Sequence, residues 1–146
     1  MTITRCTATD IDEWVALRTA LWPDYAADEL REGAAAMLGA SDMLVLIART
    51  PEGEAAGFAE ASIRRDYVNG CETSPVAFLE GIYVAPTHRK HGIAQRLAEA
   101  AADWGRSLGC TEFASDALLD NKASHAFHAA IGFEETERVV YFRKGL

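Results

Sequence analysis

Leu79-Glu80-Gly81-Ile82-Tyr83-Val84-Ala85-Pro86-Thr87-His88-Arg89-Lys90-His91-Gly92-Ile93-Ala94 decides how this chain is read. It begins as an apolar strand, passes through a basic turn with the spacing R-x-x-G-x-A, and opens an amphipathic helix. The first N–H groups of a helix lack acceptors within it, and the N-terminus carries partial positive charge, so such a turn is a ready anion site. Gly92 leaves room for close approach of a phosphate, while Arg89, Lys90 and His91 add donors and charge. A pyrophosphate-bearing cofactor fits that chemistry. A plain helix start with basic neighbours also fits, so the surrounding chain has to decide.

Working outward, residues 2–7 alternate loosely and predict a strand. Thr9 with Asp12 resembles a helix start, and Ile11, Trp14, Leu17, Arg18 and Leu21 keep helical spacing until Pro23 stops the helix at or before Trp22. A second helix is predicted over Asp28–Leu38 with Leu30, Ala34, Met37 and Leu38 inward, stopped by Gly39. Strands follow at Met43–Thr50, Ala55–Ile63 and Val76–Val84, with a loop at Asp66–Ser74 around Asn69-Gly70. Ile93, Leu97, Ala100, Ala101, Trp104 and Leu108 mark a long helix ending at Gly109. Cys110–Asp116 reads as a strand, Asn121 as the cap of a helix with Ala123, Phe127, Ala130 and Ile131 inward, and Glu134–Lys144 as one or two closing strands. The order β-αα-βββ-α-β-α-β(β) predicts an α/β fold, a mixed sheet with helices on both faces and a parallel crossover across 76–116. Ligands of such sheets bind outside the carboxyl ends of strands where connections diverge, which is where the basic turn sits.

The 146 residues predict one domain, 1–146, able to bury a core without disulfides or metals. Three widely spaced cysteines, Cys6, Cys71 and Cys110, form neither a disulfide framework nor a zinc motif, so no metal is expected. No signal peptide or membrane-spanning run is visible, which predicts a cytoplasmic protein. The net charge of 14 − 22 = −8 argues against nucleic acid and anionic membrane as partners. Its placement says more. Asp24, Asp28, Glu29 and Glu32 follow Trp22, Asp66 and Glu72 flank Tyr67, and the most basic stretch is the phosphate turn. One side of a cleft then suits an anionic cofactor and the other a cation.

The element order, the R-x-x-G-x-A turn and the run Asn121 to Phe133, Asn-Lys-Ala-Ser-His-Ala-Phe-His-Ala-Ala-Ile-Gly-Phe, together resemble the Gcn5-related N-acetyltransferases (GNAT superfamily) over nearly the whole chain. Within that superfamily, Leu21-Trp22-Pro23, Ala61-Ser62-Ile63-Arg64, Asp66-Tyr67-Val68-Asn69-Gly70-Cys71, Phe78-Leu79-Glu80-Gly81-Ile82, Ala114-Ser115-Asp116 and residues 132–139 look like the aminoglycoside 6′-N-acetyltransferases. The resemblance implies transfer of acetyl from acetyl-CoA to the 6′-amine of a cationic aminoglycoside, with antibiotic resistance as the outcome. It also implies a homodimer paired through C-terminal regions. The charge argument agrees independently, since acidic loops with aromatic walls suit a small polycation.

Glu80 is the one charged residue of a strand otherwise apolar on both faces, residues 76, 78, 80, 82 and 84 sharing one face and 77, 79, 81 and 83 the other. Such a carboxylate needs a partner, either an arginine or backbone within the core or a substrate ammonium at the cleft floor, and the second is favoured here. Asp116 ends the next strand, as a turn residue or as the substrate ligand that the resemblance implies. A protonated amine cannot attack a thioester, so Asp116, with Glu80 second, is the expected group to position the amine and accept its proton, directly or through water. Glu137 lies in an acidic run that would ordinarily be a solvated face, and Trp22 and Tyr67 could be plain core or surface aromatics. The resemblance places all three on the antibiotic. For the cofactor, Ile82, Tyr83 and Val84 offer backbone groups to a pantetheine arm as an added strand would use them. The turn residues Lys90, His91, Gly92, Ile93, Ala94 and Gln95 are expected to hold the pyrophosphate, and Asn121 can cap its helix and still reach the pantetheine or the sulfur region. Many relatives carry a tyrosine at the place of His128 to protonate the departing thiolate. Here the histidine departs from that pattern and leaves the acid unassigned. No cysteine sits in an activating motif, so direct attack is expected rather than an acetyl-cysteine. Rival readings are acetylation of another polycation or a protein N-terminus, and a non-catalytic acetyl-CoA sensor, which the acidic loops disfavour.

Overall fold

A computed structural model describes all residues, 1–146. The apolar runs form a five-stranded sheet in the order β1-β2-β3-β4-β5, with β1 at Thr2–Arg5, β2 at Met43–Arg49, β3 at Ala55–Arg64, β4 at Val76–Val84 and β5 at Phe113–Ser115. Neighbours from β1 to β4 are antiparallel, and β4 with β5 is parallel, as the crossover predicted. Helices α1 (Ile11–Leu21) and α2 (Ala27–Leu38) cover one face, where Trp14, Leu17 and Ala34 meet Val45, Ile47 and Phe58. Helix α3 (Ile93–Ser107) covers the other with Ile93, Leu97 and Ala101 against Leu44, Leu46, Leu79 and Val84. Helix α4 (Lys122–Ala130) follows β5. No helix is long and apolar enough to cross a membrane.

Several expectations move. The helix-start signal lies two residues earlier than Thr9 and Asp12: the Thr7 N–H donates to Asp10 Oδ2 at 2.8 Å, heading a short 3-10 turn before α1. The strand expected over Cys110–Asp116 shortens to Phe113–Ser115. The inward stripe of α4 rotates, leaving Ala123 and Ala130 exposed while Ser124, Phe127, His128 and Ile131 are half-buried, because the His128 ring finds a partner on β5. The closing strands at Glu134–Lys144 do not form. Tyr141 and Phe142 are 80% and 91% exposed there. A strand needs a ladder partner, and the adjoining sheet edge is the three-residue β5.

The alternation expected along β4 also breaks. Glu60 pairs with Gly81 and Ala61 with Leu79, so Glu80 is an extra residue that β3 does not match. This β-bulge reverses the phase of the strand, so that Leu79 and Ile82 face α3 together while Gly81 and Tyr83 face α1.

Beneath Gly81 lies a charged core that sequence periodicity did not single out. Arg18 of α1 and Glu60 of β3 are 9% and 2% exposed, and Arg18 Nε donates to Glu60 Oε1 at 2.6 Å. Trp14 Nε1 donates to the same oxygen at 2.9 Å, and Arg18 Nη1 donates to the Leu30 carbonyl of α2 at 2.6 Å. The guanidinium also lies 5.6 Å from the Trp14 ring and 5.1 Å from Trp22. One cation thereby ties α1, α2 and β3 together.

Burial pushes the Glu60 carboxyl above the usual carboxylate range, against the pull of Arg18 and Trp14. A raised folded pKa means that ionisation costs stability as the pH rises through it, and Arg18 limits that cost. Arg18→Met should therefore destabilise the fold by about 3–5 kcal/mol in denaturant titrations near neutrality. The deficit relative to wild type should shrink as the pH falls. Arg18→Met with Glu60→Leu should recover much of the loss. A single variant within 1 kcal/mol of wild type, or one whose deficit grows on acidification, would contradict the pairing.

Candidate active site

The parallel ladder of β4 with β5 stops at Leu79–Ser115, while β4 continues through Glu80 to Val84. Of these, Gly81 to Val84 have a strand partner only in β3 and Glu80 has none, which leaves alternate N–H and C=O groups open on the β5 side. The bulge at Glu80 strengthens the local twist where β5 ends, so the sheet splits into a notch. A cleft of about 1690 Å³ occupies it, lined by both ends of the candidate site. That is more than the few hundred to about 1,000 Å³ of ordinary ligand pockets and gives room for two substrates.

At one end sits the basic turn. Lys90 and Gly92 both take left-handed backbone angles, φ 66° and 75°, and Gly92 is the N-cap of α3. A left-handed lysine is strained, and such strain concentrates at ligand sites. None of the backbone N–H groups from Lys90 through Gln95 donates to a protein acceptor. This curved row of free donors at a positive helix end is built for phosphate oxygens. Lys90, Gly92, Ile93, Ala94 and Gln95 line the cleft, but His91 does not; its Nδ1 lies 3.3 Å from the His88 carbonyl. Arg89 lines the cleft as well, its Nε donating to the Val84 carbonyl at 2.8 Å. Ile82, Tyr83 and Val84 line the notch between the turn and Glu80.

At the other end lie the expected acceptor-site residues. Trp22 caps α1 and packs so closely on Gly81 that a Cβ there would fall 2.7 Å from the indole. It meets Phe58 edge-on at 6.2 Å and forms a firm wall. Tyr67 is 75% exposed on the 66–74 loop, which Glu112 anchors by accepting from the Glu72 and Thr73 N–H groups. Thr136 packs directly on Gly70 of that loop, bringing the C-terminal stretch with Glu137 to the cleft. Asp116 and Glu137 are exposed, line the cleft and have no hydrogen-bonded or ionic partner within the protein.

Glu80 is different. Arg64 grips both of its oxygens at 2.9 Å, and the Ser62 hydroxyl donates to Oε1 at 2.6 Å. The intramolecular arginine partner weighed for this carboxylate is therefore present, and Glu80 is not a free anion. It remains partly exposed, at 29%, and lines the cleft floor.

Asn121 caps α4, its Oδ1 accepting from the Ser124 N–H at 3.1 Å, and also lines the cleft. The cysteines are ill-suited to covalent catalysis. Burial pushes the Cys6 thiol up to about 12, and burial with the Glu112 charge raises that of Cys71, the one cysteine at the cleft. No group of His, Cys, Asp or Glu side chains is placed to hold a metal.

Periodicity missed Arg64 and Ser62, whose alternation along β3 aims them at Glu80, and the pair Ser115 and His128, joined at 2.8 Å. A lone acid in an apolar strand was the available signal for a basic partner nearby. For Ser115 there was none.

The acetyltransferase (GNAT) family model matches residues 11–133. An aminoglycoside N(6′)-acetyltransferase type 1 from Acinetobacter baumannii is 49% identical over 146 residues, which is 100% of this chain and 99% of the relative. One from Salmonella typhimurium is 46% identical, with 99% of each chain covered. Among solved structures, the apo 6′-N-acetyltransferase AAC(6′)-Ig from Acinetobacter haemolyticus superposes with a TM-score of 0.97 at 45% identity, covering 100% of this chain and 99% of that one. AAC(6′)-Iy, in complex with the bisubstrate analogue CoA-S-monomethyl-acetylneamine, gives 0.94 at 45% identity, covering 99% and 98%. A free phosphate turn, a split sheet and an acidic cleft thus occur in a chain that belongs to the GNAT acetyltransferase family, among the aminoglycoside N(6′)-acetyltransferases.

Proposed function

We propose that this protein transfers the acetyl group of acetyl-CoA to the 6′-amine of aminoglycosides such as kanamycin and tobramycin, conferring resistance, by direct attack in a complex holding both substrates. The observation that carries this is one cleft with two chemistries, free backbone donors at the turn and unpaired carboxylates at the opposite mouth. Acetyl-CoA supplies the activated acyl group. The Lys90–Gln95 donors hold its phosphates, and the open edge of Ile82–Val84 aligns the arm toward the bulge. Trp22 and Tyr67 flank the sugar rings, and Glu137 takes a remote ammonium. Asp116 holds the reacting amine and accepts its proton, directly or through water, with Glu80 completing the floor. Activity is placed in the cytoplasm, where both substrates meet.

Gly92→Val should weaken acetyl-CoA binding by roughly 1–3 kcal/mol in calorimetry, since the branched side chain resists the left-handed angle and crowds the phosphates. Aminoglycoside binding to the free enzyme should change little. Unchanged cofactor affinity in a folded variant would move the phosphate site elsewhere.

Amide replacements of the carboxylates should cost about 1.5–3 kcal/mol each in kcat/KM. Asp116→Asn should chiefly lower kcat and Glu137→Gln chiefly raise KM for the antibiotic. An analogue with a 6′-hydroxyl should bind without turnover. Inert kanamycin and tobramycin beside rapid turnover of spermidine or a peptide amine would overturn the aminoglycoside reading.

A homodimer joined through the C-terminal region is part of the same reading. It is supported by Val139, Val140, Tyr141 and Phe142, which are 45%, 73%, 80% and 91% exposed. A β-prone apolar segment without a ladder partner in its own chain suits pairing with a second copy. Sedimentation should give a dimer for the wild type and a monomer when residues 139–146 are removed. A monomeric wild type would refute the pairing.

A further inference from the structure

We propose that Arg64 sets the protonation of the acceptor amine: by cancelling the Glu80 charge it turns the cleft floor into a neutral hydrogen-bond acceptor, which favours the unprotonated amine that attacks. The inference rests on the acetyl-transfer reading and adds a positioning residue that acts through Glu80.

Ser62 and Arg64 stand two apart on β3 and share the face that meets Glu80. The two oxygens of that carboxylate are used unequally. Oε1 accepts from the Ser62 hydroxyl at 2.6 Å, from Arg64 Nη2 at 2.9 Å and from Arg64 Nε at 3.1 Å. Oε2 accepts only from Arg64 Nη2, at 2.9 Å. A carboxylate oxygen has two lone pairs, so Oε2 keeps one open on a residue that lines the cleft. Arg64 is itself held from beneath, its guanidinium 3.5 Å from the centre of the buried Phe78 ring. The neutral pair is built before any acceptor arrives.

No other charged group reaches Glu80. Toward α1, Arg18 is spent on Glu60. The 66–74 loop brings Tyr67 and Cys71 to the cleft, the flanks of β5 bring Glu112 and Asp116, α4 brings His128 and the C-terminal stretch brings Glu137. Arg138 of that stretch is paired with Glu135. The hydrogen bonds and the salt bridge of the Glu80 carboxylate run to Ser62 and Arg64 alone.

Acids that hold a polycation create a chemical difficulty. An opposite charge within about 4–6 Å favours the ammonium form of an amine by roughly 1–3 pKa units. An ammonium nitrogen has no lone pair with which to attack a thioester. In the acetyl-transfer reading the amine meets both Asp116 and Glu80, and two unpaired carboxylates would hold it protonated. Arg64 cancels one of them. Asp116 is left to take the proton, and Glu80 Oε2 still accepts an N–H.

The pH profile of kcat tests this, because it reports ionisations in the enzyme with its substrates bound. The midpoint of its rising limb should follow the charge of the floor. Arg64→Met keeps an apolar chain on Phe78 and leaves the floor negative. It should move the midpoint up by roughly one unit or more, with a roughly tenfold loss of kcat on the limb that is recovered at alkaline pH. Glu80→Gln leaves the floor positive and should move the midpoint down. Arg64→Met combined with Glu80→Gln should return it close to wild type, and Arg64→Lys, which keeps the charge, should leave it there. KM for the antibiotic should not rise in Arg64→Met. A merely structural arginine predicts a loss of kcat or of thermal midpoint with the limb in place. That result, or an upward shift that persists in the double variant, overturns the proposal. If Arg64→Met does not fold, Glu80→Gln decides alone, and a midpoint unmoved or raised overturns it. Should kanamycin prove inert with the wild type, the acceptor reading has failed, and thiol release with spermidine gives the same comparison of midpoints.

Discussion

Between Leu79 and Gly81 the β3–β4 ladder sets one residue of β4, Glu80, against none of β3, and that single extra residue organises the rest of the site. It reverses which face each later side chain occupies, so Ile82 joins the α3 core and Gly81 turns toward α1, where Trp22 fills the space a side chain would need. It bends β4 where β5 stops, which leaves the strand end without a neighbour. Remove the bulge and three features fail together: the open backbone edge, the seat of Trp22 and the placing of Glu80 on the cleft floor. A regular strand of the same composition would give a continuous sheet with no slot for a substrate.

The carboxylates divide by what surrounds them. Glu60, deep in the core, meets Arg18 and Trp14, and Glu80, half-buried, meets Arg64 and Ser62. Both sit on the sheet, where an unpaired charge would be expensive. Asp116, just beyond β5, and Glu137, in the stretch after α4, are exposed to water, where ionisation costs little and no protein cation pairs with them. The fold thus keeps its buried acids for architecture and leaves its exposed ones free. Arg18 links the core to the cleft, because the guanidinium that neutralises Glu60 also lies against Trp22, which lines it.

Much of this was legible in the residues. The order of elements through Ile131, the parallel crossover, the turn that opens α3 at Gly92 and the Asn121 cap follow from local patterns of spacing and capping, and they stand in the structure. The β4 bulge was not legible, because alternation assumes an unbroken ladder and an extra residue leaves no mark in composition. The same blindness hid the contact of Ser115 with His128, which meet across thirteen positions through a register that only the folded sheet defines. The segment 134–144 misled for the opposite reason: its β-propensity is real, but propensity does not supply a partner strand.

Two substrates of opposite charge share one cleft here, and their requirements conflict. Phosphates need uncompensated donors, and a polycation needs uncompensated acids; placed side by side, each set would neutralise the other. The length of β4 resolves this. Four residue steps separate Glu80 from Val84, about 13 Å at roughly 3.3 Å per residue, and the turn lies further on. That exceeds the screening length of about 8 Å at physiological ionic strength. Arg64 adds to the separation by neutralising Glu80 on the cleft floor, so the carboxylates left unpaired along the cleft include Asp116 and Glu137. The open half of one strand thereby keeps the free donors of the turn apart from the free carboxylates of the cleft.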